Sequence, residues 1–318
     1  IFTMSDKKIN NNIIEYIISD ESKGLRADQA IALENAEFSR SLIKKWINQG
    51  NILRNGNIIR PKDILYANDK ITIISEENIN PDYIIPEKIK IKIKYEDNDL
   101  IIIDKENDIV SHPAPGNNCG TLANGLAYIY PELQNLPRSG LIHRLDKNTT
   151  GLLIVARNIE SYTKLVKKMQ ERDIDKYYIA YTHGLILKNN NIKYPISRHK
   201  IDRKKMSVNM NGKEAITNYE VIRNYKNYSK LKIKLLTGRT HQIRVHMQYE
   251  GFPLIGDKIY GEGKKNKNNL CNFIKNFPRQ ALHAEKLEFD HPITKEKIKM
   301  KSSLPDDLVN LEKYLENE

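Results

Sequence analysis

The sequence has few of the features that mark several large protein classes. Two cysteines, Cys119 and Cys271, stand in 318 residues, which predicts neither a framework of disulfides nor a zinc site of four cysteines. No run approaches the ~20 apolar residues of a membrane-spanning helix. The stretch Ile1–Asn12 lacks the apolar centre of a secretory signal. We therefore expect a cytoplasmic protein that has no membrane partner.

Nucleotide and redox motifs are also missing. The sequence contains no glycine-lysine P-loop and no dinucleotide-binding fingerprint, and no repeat of the length that builds a solenoid. Nothing therefore predicts nucleotide hydrolysis or redox chemistry, and we expect no cofactor.

The charge balance is strongly basic. Lys and Arg number 52 against 40 Asp and Glu, for a formal net charge of +12. Such an excess favours a polyanionic partner, of which nucleic acid is the commonest. An anionic membrane is the alternative, but no long basic amphipathic helix supports it.

The length predicts at least two domains. A compact basic segment, Leu25–Ile74, is predicted to have an amphipathic helix over Arg40–Gln49 and a hairpin turn at Asn55-Gly56. Acidic, proline-containing sequence follows and is typical of a linker. The predicted organisation is an N-terminal extension (1–24), a small domain (25–75), a linker (76–90) and a larger domain (91–318).

The most informative stretch is Leu141–Asn158, which reads LIHRLDKNTTGLLIVARN. A polar cluster containing Arg144 and Asp146 leads into a turn, and a wholly apolar strand follows at Leu152–Ala156. Asp146 therefore lies in a loop held between rigid elements, where catalytic groups are usually presented. The alternative is that Asp146 only caps the turn.

Two later motifs carry further candidates. Lys176-Tyr177-Tyr178-Ile179-Ala180 begins a strand, in which tyrosines usually serve packing. Thr237–Gly251 reads TGRTHQIRVHMQYEG, with Thr240 placed to cap a helix from His241. His241 and His246 are five residues apart and so do not share a helical face. We therefore predict no metal site there and leave a solvated basic helix as the alternative.

These motifs together resemble those of the RNA pseudouridine synthases, in particular the enzymes that modify large-subunit ribosomal RNA. The resemblance covers the chain from about Leu25 to its end. It implies a mixed α+β catalytic domain with a mainly antiparallel sheet, preceded by a small S4-like RNA-binding domain. One departure is Lys105-Glu106, where the family usually has Lys-Pro, so a proline that stiffens the loop is missing.

The resemblance also implies an active site. Asp146 matches the catalytic carboxylate, Tyr178 the tyrosine that stacks on the base and relays a proton, and Arg244 the arginine that pairs with the carboxylate. Isomerising uridine breaks and remakes one bond without redox change, which agrees with the absence of a cofactor. A buried carboxylate resists ionisation, and a neighbouring arginine opposes that effect.

RNA contacts are expected in both domains. Arg144 is placed beside the catalytic Asp146, where it could fill the space that a flipped nucleotide leaves. In the S4-like segment the candidate RNA-binding residues are Arg40, Lys44, Lys45 and Arg54, with a solvated helix face as the alternative. The expected substrate is 23S ribosomal RNA and the expected state a monomer. The competing functions are modification of transfer RNA or of other ribosomal sites, and a non-catalytic RNA-binding assembly factor.

Overall fold

The structure is a computed structural model that describes residues 8–10, 13–35, 40–74, 84–113, 119–203, 205–261 and 271–318. The chain divides into two compact units, Ile1–Tyr83 and Ile84–Glu318. Within the described ranges no helix has the length and apolar character needed to cross a bilayer.

The first unit is a five-stranded antiparallel sheet with two helices. Its strand order is β1-β2-β5-β3-β4, and its apolar core includes Ile43 and Ile47 of the second helix and Ile71 and Ile73 of the last strand. The elements are β1 (Lys8–Asn10), β2 (Ile13–Ile17), α1 (Ala27–Glu34), α2 (Arg40–Gln49), β3 (Ile52–Arg54), β4 (Asn57–Ile58) and β5 (Lys70–Ile74).

Local sequence signals locate most of this unit. The helix over Arg40–Gln49 has the predicted bounds and ends at Gly50, whose φ of +79° suits a residue without a Cβ. Asn55 and Gly56 both have positive φ and join β3 to β4, as the two-residue hairpin turn requires.

The predicted domain boundaries differ from the structure at both ends of the small domain. Strand β2 lies inside the predicted extension but pairs along its whole length with β5, so the sheet begins before Leu25. Ile84 lies inside the predicted linker but is buried in the core of the second unit. Burial of these short apolar stretches depends on partners distant in sequence, which local composition does not reveal.

The second unit is built on a nine-stranded mixed sheet. The strand order is β10-β13-β14-β9-β15-β8-β7-β6, and β16 pairs with β15 off this path. The pairing of β15 with β8 is parallel, and the other pairings of this sheet are antiparallel. The expected mixed α+β class with a mainly antiparallel sheet is therefore confirmed.

The remaining elements follow in chain order. The strands are β6 (Lys92–Glu96), β7 (Leu100–Lys105), β8 (Thr150–Ala156), β9 (Asp175–His183), β10 (Asn190–Ile192), β11 (Ile196–Arg198), β12 (Met206–Val208), β13 (Thr217–Asn224), β14 (Tyr228–Leu235), β15 (Leu282–Asp290) and β16 (Lys297–Lys301). The helices are α3 (Leu122–Ile129), α4 (Ile159–Gln170), α5 (Gln242–Tyr249), α6 (Asn272–Lys275) and α7 (Asp306–Glu316).

Strand β8 lies at the centre of the packing. All seven of its residues are buried. Leu153 and Val155 join the core on one face of the sheet, while Leu152 and Ile154 join the core on the other face with Leu165 of α4. Burial on both faces explains why the sequence there is a continuous apolar run, and it fixes the start of β8 close to Asp146.

Candidate active site

A single pocket brings together the three residues predicted to be catalytic. Asp146, Tyr178 and Arg244 all line a cavity of about 270 Å³ in the second unit. They come from three separate parts of the chain: the loop before β8, strand β9 and helix α5. Arg144 and His241 line the same cavity.

The loop that carries Asp146 is held by hydrogen bonds to its backbone. Ser111 Oγ donates to the carbonyl of Leu145 at 3.0 Å. Lys105 Nζ donates to the carbonyl of Lys147 at 2.9 Å, and Arg279 Nη1 to that of Asn148 at 3.2 Å. The backbone on both sides of Asp146 is therefore fixed from outside the loop.

The buried side chain of Lys105 holds more of this region than the Lys147 carbonyl alone. Its Nζ also donates to the carbonyls of Glu106 and Ile109 at 2.9 Å each, so three carbonyl oxygens surround one ammonium group. Burial lowers the pKa of Lys105 to about 7, against the opposing charge of Asp146. The loop that lacks the family's proline is thus held by side-chain hydrogen bonds.

Arg244 is the hydrogen-bonding partner of the Asp146 carboxylate. Its Nη1 lies 3.0 Å from Asp146 Oδ2, and its Nε and Nη2 donate to the two carboxylate oxygens of Asp257 at 2.7 and 2.9 Å. One guanidinium therefore joins two carboxylates. Because Asp146 bonds across the pocket to Arg244, a role confined to capping its own turn does not describe this geometry.

Asp257 fixes the orientation of the Arg244 guanidinium. Its side chain is fully buried and also accepts the backbone N–H groups of Ile259 and Tyr260. Burial acts to raise the pKa of Asp257, but the hydrogen bonds and charge of Arg244 outweigh it and hold that pKa below its usual range. The fork of the guanidinium is thereby fixed in the plane that presents Nη1 to Asp146.

The start of helix α5 differs from the prediction. The helix begins at Gln242, and His241 occupies the N-cap position without a side-chain capping bond, so the assignment of Thr240 as cap was wrong. Gln242 anchors the turn instead. Its Oε1 accepts from Thr237 Oγ1 and the Arg239 N–H, and its Nε2 donates to the Ile216 carbonyl and Thr217 Oγ1.

The structure separates the two neighbouring tyrosines of β9. Tyr178 is buried and lines the cavity, and its pKa is raised by burial and by the negative charge of Asp146. Tyr177 points to the opposite face of the sheet, where the ammonium groups of Lys232, Lys234 and Lys286 lie 5.3 to 5.5 Å from its ring centre. Only Tyr178 is therefore placed to meet a nucleotide in the cavity.

The candidate RNA-binding residues have different surroundings. Arg144 is exposed at the pocket. In the first unit Lys44 is exposed, Arg40 pairs with Asp28 at 2.8 Å, and Arg54 pairs with Asp69 at 2.8 Å. Lys45 lies in α2, and its side chain is outside the described part of the chain. RNA binding by these four residues of the first unit stays a prediction.

The histidines of α5 are engaged with protein groups. His246 contacts Thr217 Oγ1 and the Tyr194 carbonyl, both at 2.9 Å, and His241 contacts the Tyr260 hydroxyl at 2.8 Å. Among the described residues, only Asp97, Asp99 and His291 place three possible metal ligands within 4.8 Å of one another. None of these three lines the pocket, and His291 already contacts Asp97 at 3.0 Å.

Sequence reasoning missed four residues that shape the site. Asp257 and Tyr260 lie in a stretch included in the family resemblance, but only their partners reveal their functions. Lys105 was noted for the proline that follows it in the family and not for its own side chain. His241 was considered only as a metal ligand or as a solvated residue, although its place three residues before Arg244 puts it beside the pocket.

Comparisons with known proteins show the family of the chain. The family model described as "RNA pseudouridylate synthase" matches residues 99–249, which include Asp146, Tyr178 and Arg244. The chain belongs to this family of pseudouridine synthases, which are isomerases.

Curated relatives cover nearly the whole chain. A protein of Pseudomonas aeruginosa named "Ribosomal large subunit pseudouridine synthase D" is 41% identical over 293 residues, covering 91% of each chain. A protein of Haemophilus influenzae with the same name is 42% identical over 299 residues, covering 92% of each.

Solved structures show the same fold. Human RNA Pseudouridylate Synthase Domain Containing 1 is 25% identical with a TM-score of 0.53, covering 73% of this chain and 97% of its own. Human RNA Pseudouridylate Synthase Domain Containing 4 is 21% identical with a TM-score of 0.56, covering 71% of this chain and 93% of its own.

Proposed function

We propose that this chain isomerises specific uridines to pseudouridine in 23S ribosomal RNA, with Asp146 as the catalytic carboxylate. The observation that carries the proposal is the ion pair of Asp146 with Arg244 in a pocket that also contains Tyr178. The choice of large-subunit RNA follows the names of the curated relatives, which match this chain over nearly its full length.

Asp146 supplies the group that starts the reaction. The glycosidic bond must break, the base must turn, and carbon 5 must bond to the sugar. An ionised carboxylate can attack the sugar or the base, or take a proton from the sugar. Arg244 pairs with this carboxylate at 3.0 Å and, because Asp257 fixes the guanidinium, holds it in one orientation.

Tyr178 serves the uracil. Its ring provides a flat apolar surface, and its hydroxyl is polar and can relay a proton. Extracting a nucleotide from its stack costs a few kcal/mol, and stacking on an aromatic ring returns roughly 1–3 kcal/mol per base. One tyrosine in the pocket can therefore offset much of the cost of flipping the target uridine.

Arg144 is proposed to contact the RNA beside the flipped nucleotide. It is exposed and lines the pocket two residues before Asp146. It can occupy the space left in the RNA or hold a phosphate. Lys44 on α2, with Arg40, Lys45 and Arg54, is proposed to bind RNA backbone from an S4-like first unit.

The enzyme is proposed to act as a monomer. A substrate of ribosomal RNA and the two free cysteines agree with a cytoplasmic location. Both statements are part of the proposal.

The experiment uses large-subunit RNA from cells that lack this protein. Wild-type protein or Asp146→Asn is added, and pseudouridines are mapped by primer-extension stops after carbodiimide treatment. We expect stops that appear only with the wild-type protein and that identify its uridines.

The same experiment separates the competing functions. No stops in ribosomal RNA, but new stops in transfer RNA, would replace the proposed substrate. Binding of ribosomal RNA without modification of either RNA would favour an assembly factor and overturn the catalytic proposal.

A further inference from the structure

His241 is a residue of the pocket for which the mechanism above has no role. Its Nε2 lies 3.9 Å from Asp146 Oδ2, and its side chain is only 16% exposed. Its backbone is left-handed, with φ +56° and ψ +19°, which is uncommon for residues other than glycine. Strained backbone of this kind persists where the surrounding structure holds a side chain in place.

Tyr260 determines how the imidazole is protonated. The N–H of Met206 donates to the Tyr260 oxygen at 2.7 Å, and the same hydroxyl lies 2.8 Å from His241 Nδ1. Among the described residues the hydroxyl contacts no other acceptor, and we therefore assign its hydrogen to the bond with Nδ1. The neutral ring therefore carries its own proton on Nε2.

The imidazole is in the neutral state that this arrangement needs. Burial lowers the pKa of His241, against the charge of Asp146, and the charge of Arg244 lowers it further. At neutral pH the ring then presents one N–H to the pocket. The 3.9 Å between Nε2 and Asp146 Oδ2 is too long for a direct hydrogen bond, so this N–H remains available to a substrate atom.

His246, five residues along the chain, shows what a structural histidine in this helix looks like. It is fully buried, and both of its ring nitrogens contact protein groups, namely Thr217 Oγ1 and the Tyr194 carbonyl. His241 has one nitrogen held by the protein and the other facing the cavity. This difference indicates that His241 has a function in the pocket, whereas His246 has a structural role.

The geometry points to His241 as a catalytic hydrogen-bond donor, whose Nε2–H contacts the O2 oxygen of the target uracil. This inference rests on the proposed function. Asp146 acts at or beside the glycosidic bond, and O2 is the base oxygen nearest to that bond because C2 is joined directly to N1. A donor beside the Asp146 carboxylate therefore lies where O2 is expected.

The step needs no additional reactant. When the bond between C1′ and N1 breaks, its electron pair leaves with the uracil and spreads over N1, C2 and O2. The His241 N–H stabilises that charge without transferring its proton. After C5 bonds to C1′, the proton lost from C5 is balanced by the proton gained at N1, so nothing is oxidised or reduced.

The test combines protein variants with substrate variants. His241→Asn tolerates left-handed backbone but is too short to reach the same point, whereas His241→Gln keeps a donor of similar reach. His246→Asn is the matched control. Each full-length protein is assayed in single turnovers on a ribosomal RNA fragment that carries uridine, 2-thiouridine or 2′-deoxyuridine at a mapped target. Sulfur is a weak acceptor, so 2-thiouridine weakens a contact at position 2, and 2′-deoxyuridine lacks the sugar hydroxyl.

We expect His241→Asn to lower the single-turnover rate constant on uridine at saturating protein about 10²-fold, as for the loss of one donor to a developing oxyanion. The protein concentration that gives half of that rate should change little. Gln should restore part of this rate. On 2-thiouridine the penalty of His241→Asn should largely disappear, since the contact is already lost. His246→Asn should show no such dependence on the substrate.

Three results would overturn the inference. They are an unchanged single-turnover rate constant for His241→Asn, an equal penalty on uridine and 2-thiouridine, or a penalty that disappears instead on 2′-deoxyuridine, which would place the contact at the sugar. A wild-type protein that forms no pseudouridine would overturn the proposed function and this inference with it. An active wild-type protein with any of the three results overturns the inference alone.

Discussion

Asp146 and Arg244 are separated by 98 residues in sequence and meet at 3.0 Å in the pocket. Arg244 is itself held by Asp257 through two hydrogen bonds. The orientation of the Asp146 carboxylate therefore depends on Asp257, which Asp146 does not itself contact.

Replacing Asp257 by Asn tests this dependence. The change leaves a buried guanidinium with one carboxylate partner, and breaking a buried pair costs about 3 kcal/mol or more. We expect urea unfolding to show a loss of about 3 kcal/mol and turnover to fall. Asp290→Asn, which removes an exposed pair with Lys297, should change stability by less than about 1 kcal/mol; equal effects would contradict this account.

Substitution of Arg144 tests the proposed RNA contact of a single side chain. It is exposed, so Arg144→Ala should leave stability within about 0.5 kcal/mol of the wild type. We expect weaker binding to a ribosomal RNA fragment or slower turnover. Lys188→Ala removes the same charge at an exposed position that does not line the pocket. If Arg144→Ala changed neither quantity more than this control, the proposed contact would be refuted.

The sequence alone identifies some of these residues as functional but gives no sign of the function of others. The three catalytic candidates stand in motifs that can be matched one by one. Asp257 and His241 act through partners that the fold brings together, and residue type alone gives no sign of those partners. Successive residues of a strand face opposite sides of the sheet. Once the side that faces the pocket is known, this alternation alone places Tyr178, and not Tyr177, in the pocket.

At the scale of elements, the loop that carries Asp146 is held between β7 and β15. Lys105 ends β7 and donates to the Lys147 carbonyl, and Arg279, just before β15, donates to the Asn148 carbonyl. Both strands pair with β8, which begins four residues after Asp146. The loop is therefore attached on both sides to the most buried part of the sheet.

Lys105→Met provides a prediction with a pH dependence. The pKa of Lys105 falls from 10.5 to about 7 on folding, so between these values the unfolded chain binds the extra proton. Stability from this residue should therefore increase with pH over that range. We expect the wild type to gain stability relative to Lys105→Met from about pH 7 to pH 9, measured by urea unfolding.

Lys92→Met is the control for Lys105, because Lys92 is half exposed in its pair with Asp104. Its difference from the wild type should vary less with pH. A difference between wild type and Lys105→Met that stays constant over this range would show that Lys105 keeps its proton in the folded protein.

Elements with a strong local pattern could be predicted, and elements defined by partners could not. The apolar run at β8 and the helix of Arg40–Gln49 follow from the side-chain pattern alone. By contrast, β11 and β12 form an antiparallel pair that no side-chain pattern predicts. Its strands are three residues each, too short for periodicity to identify.

At the scale of the whole molecule, we expect the two units to have different functions. The residues that line the candidate pocket all belong to the second unit. The first unit, with its exposed Lys44 and its small sheet, is proposed to give affinity for RNA backbone. Contacts of this kind are electrostatic and weaken as salt concentration rises.

Deletion of residues 1–83 tests that division. We expect the remaining chain to fold, since its core is its own, but to bind a ribosomal RNA fragment more weakly and with a smaller dependence on salt. Binding titrations at several salt concentrations measure both. Undiminished modification of ribosomal RNA by the shortened chain would refute a targeting role for the first unit.

The central claim is that the Asp146 carboxylate performs the isomerisation. The most direct measurement quantifies pseudouridine in large-subunit RNA after single turnovers with wild-type protein and with Asp146→Asn, which keeps the shape of the side chain but removes its charge. Stoichiometric pseudouridine with the wild type and none above background with Asp146→Asn is the predicted result. Comparable pseudouridine from the two proteins would contradict it.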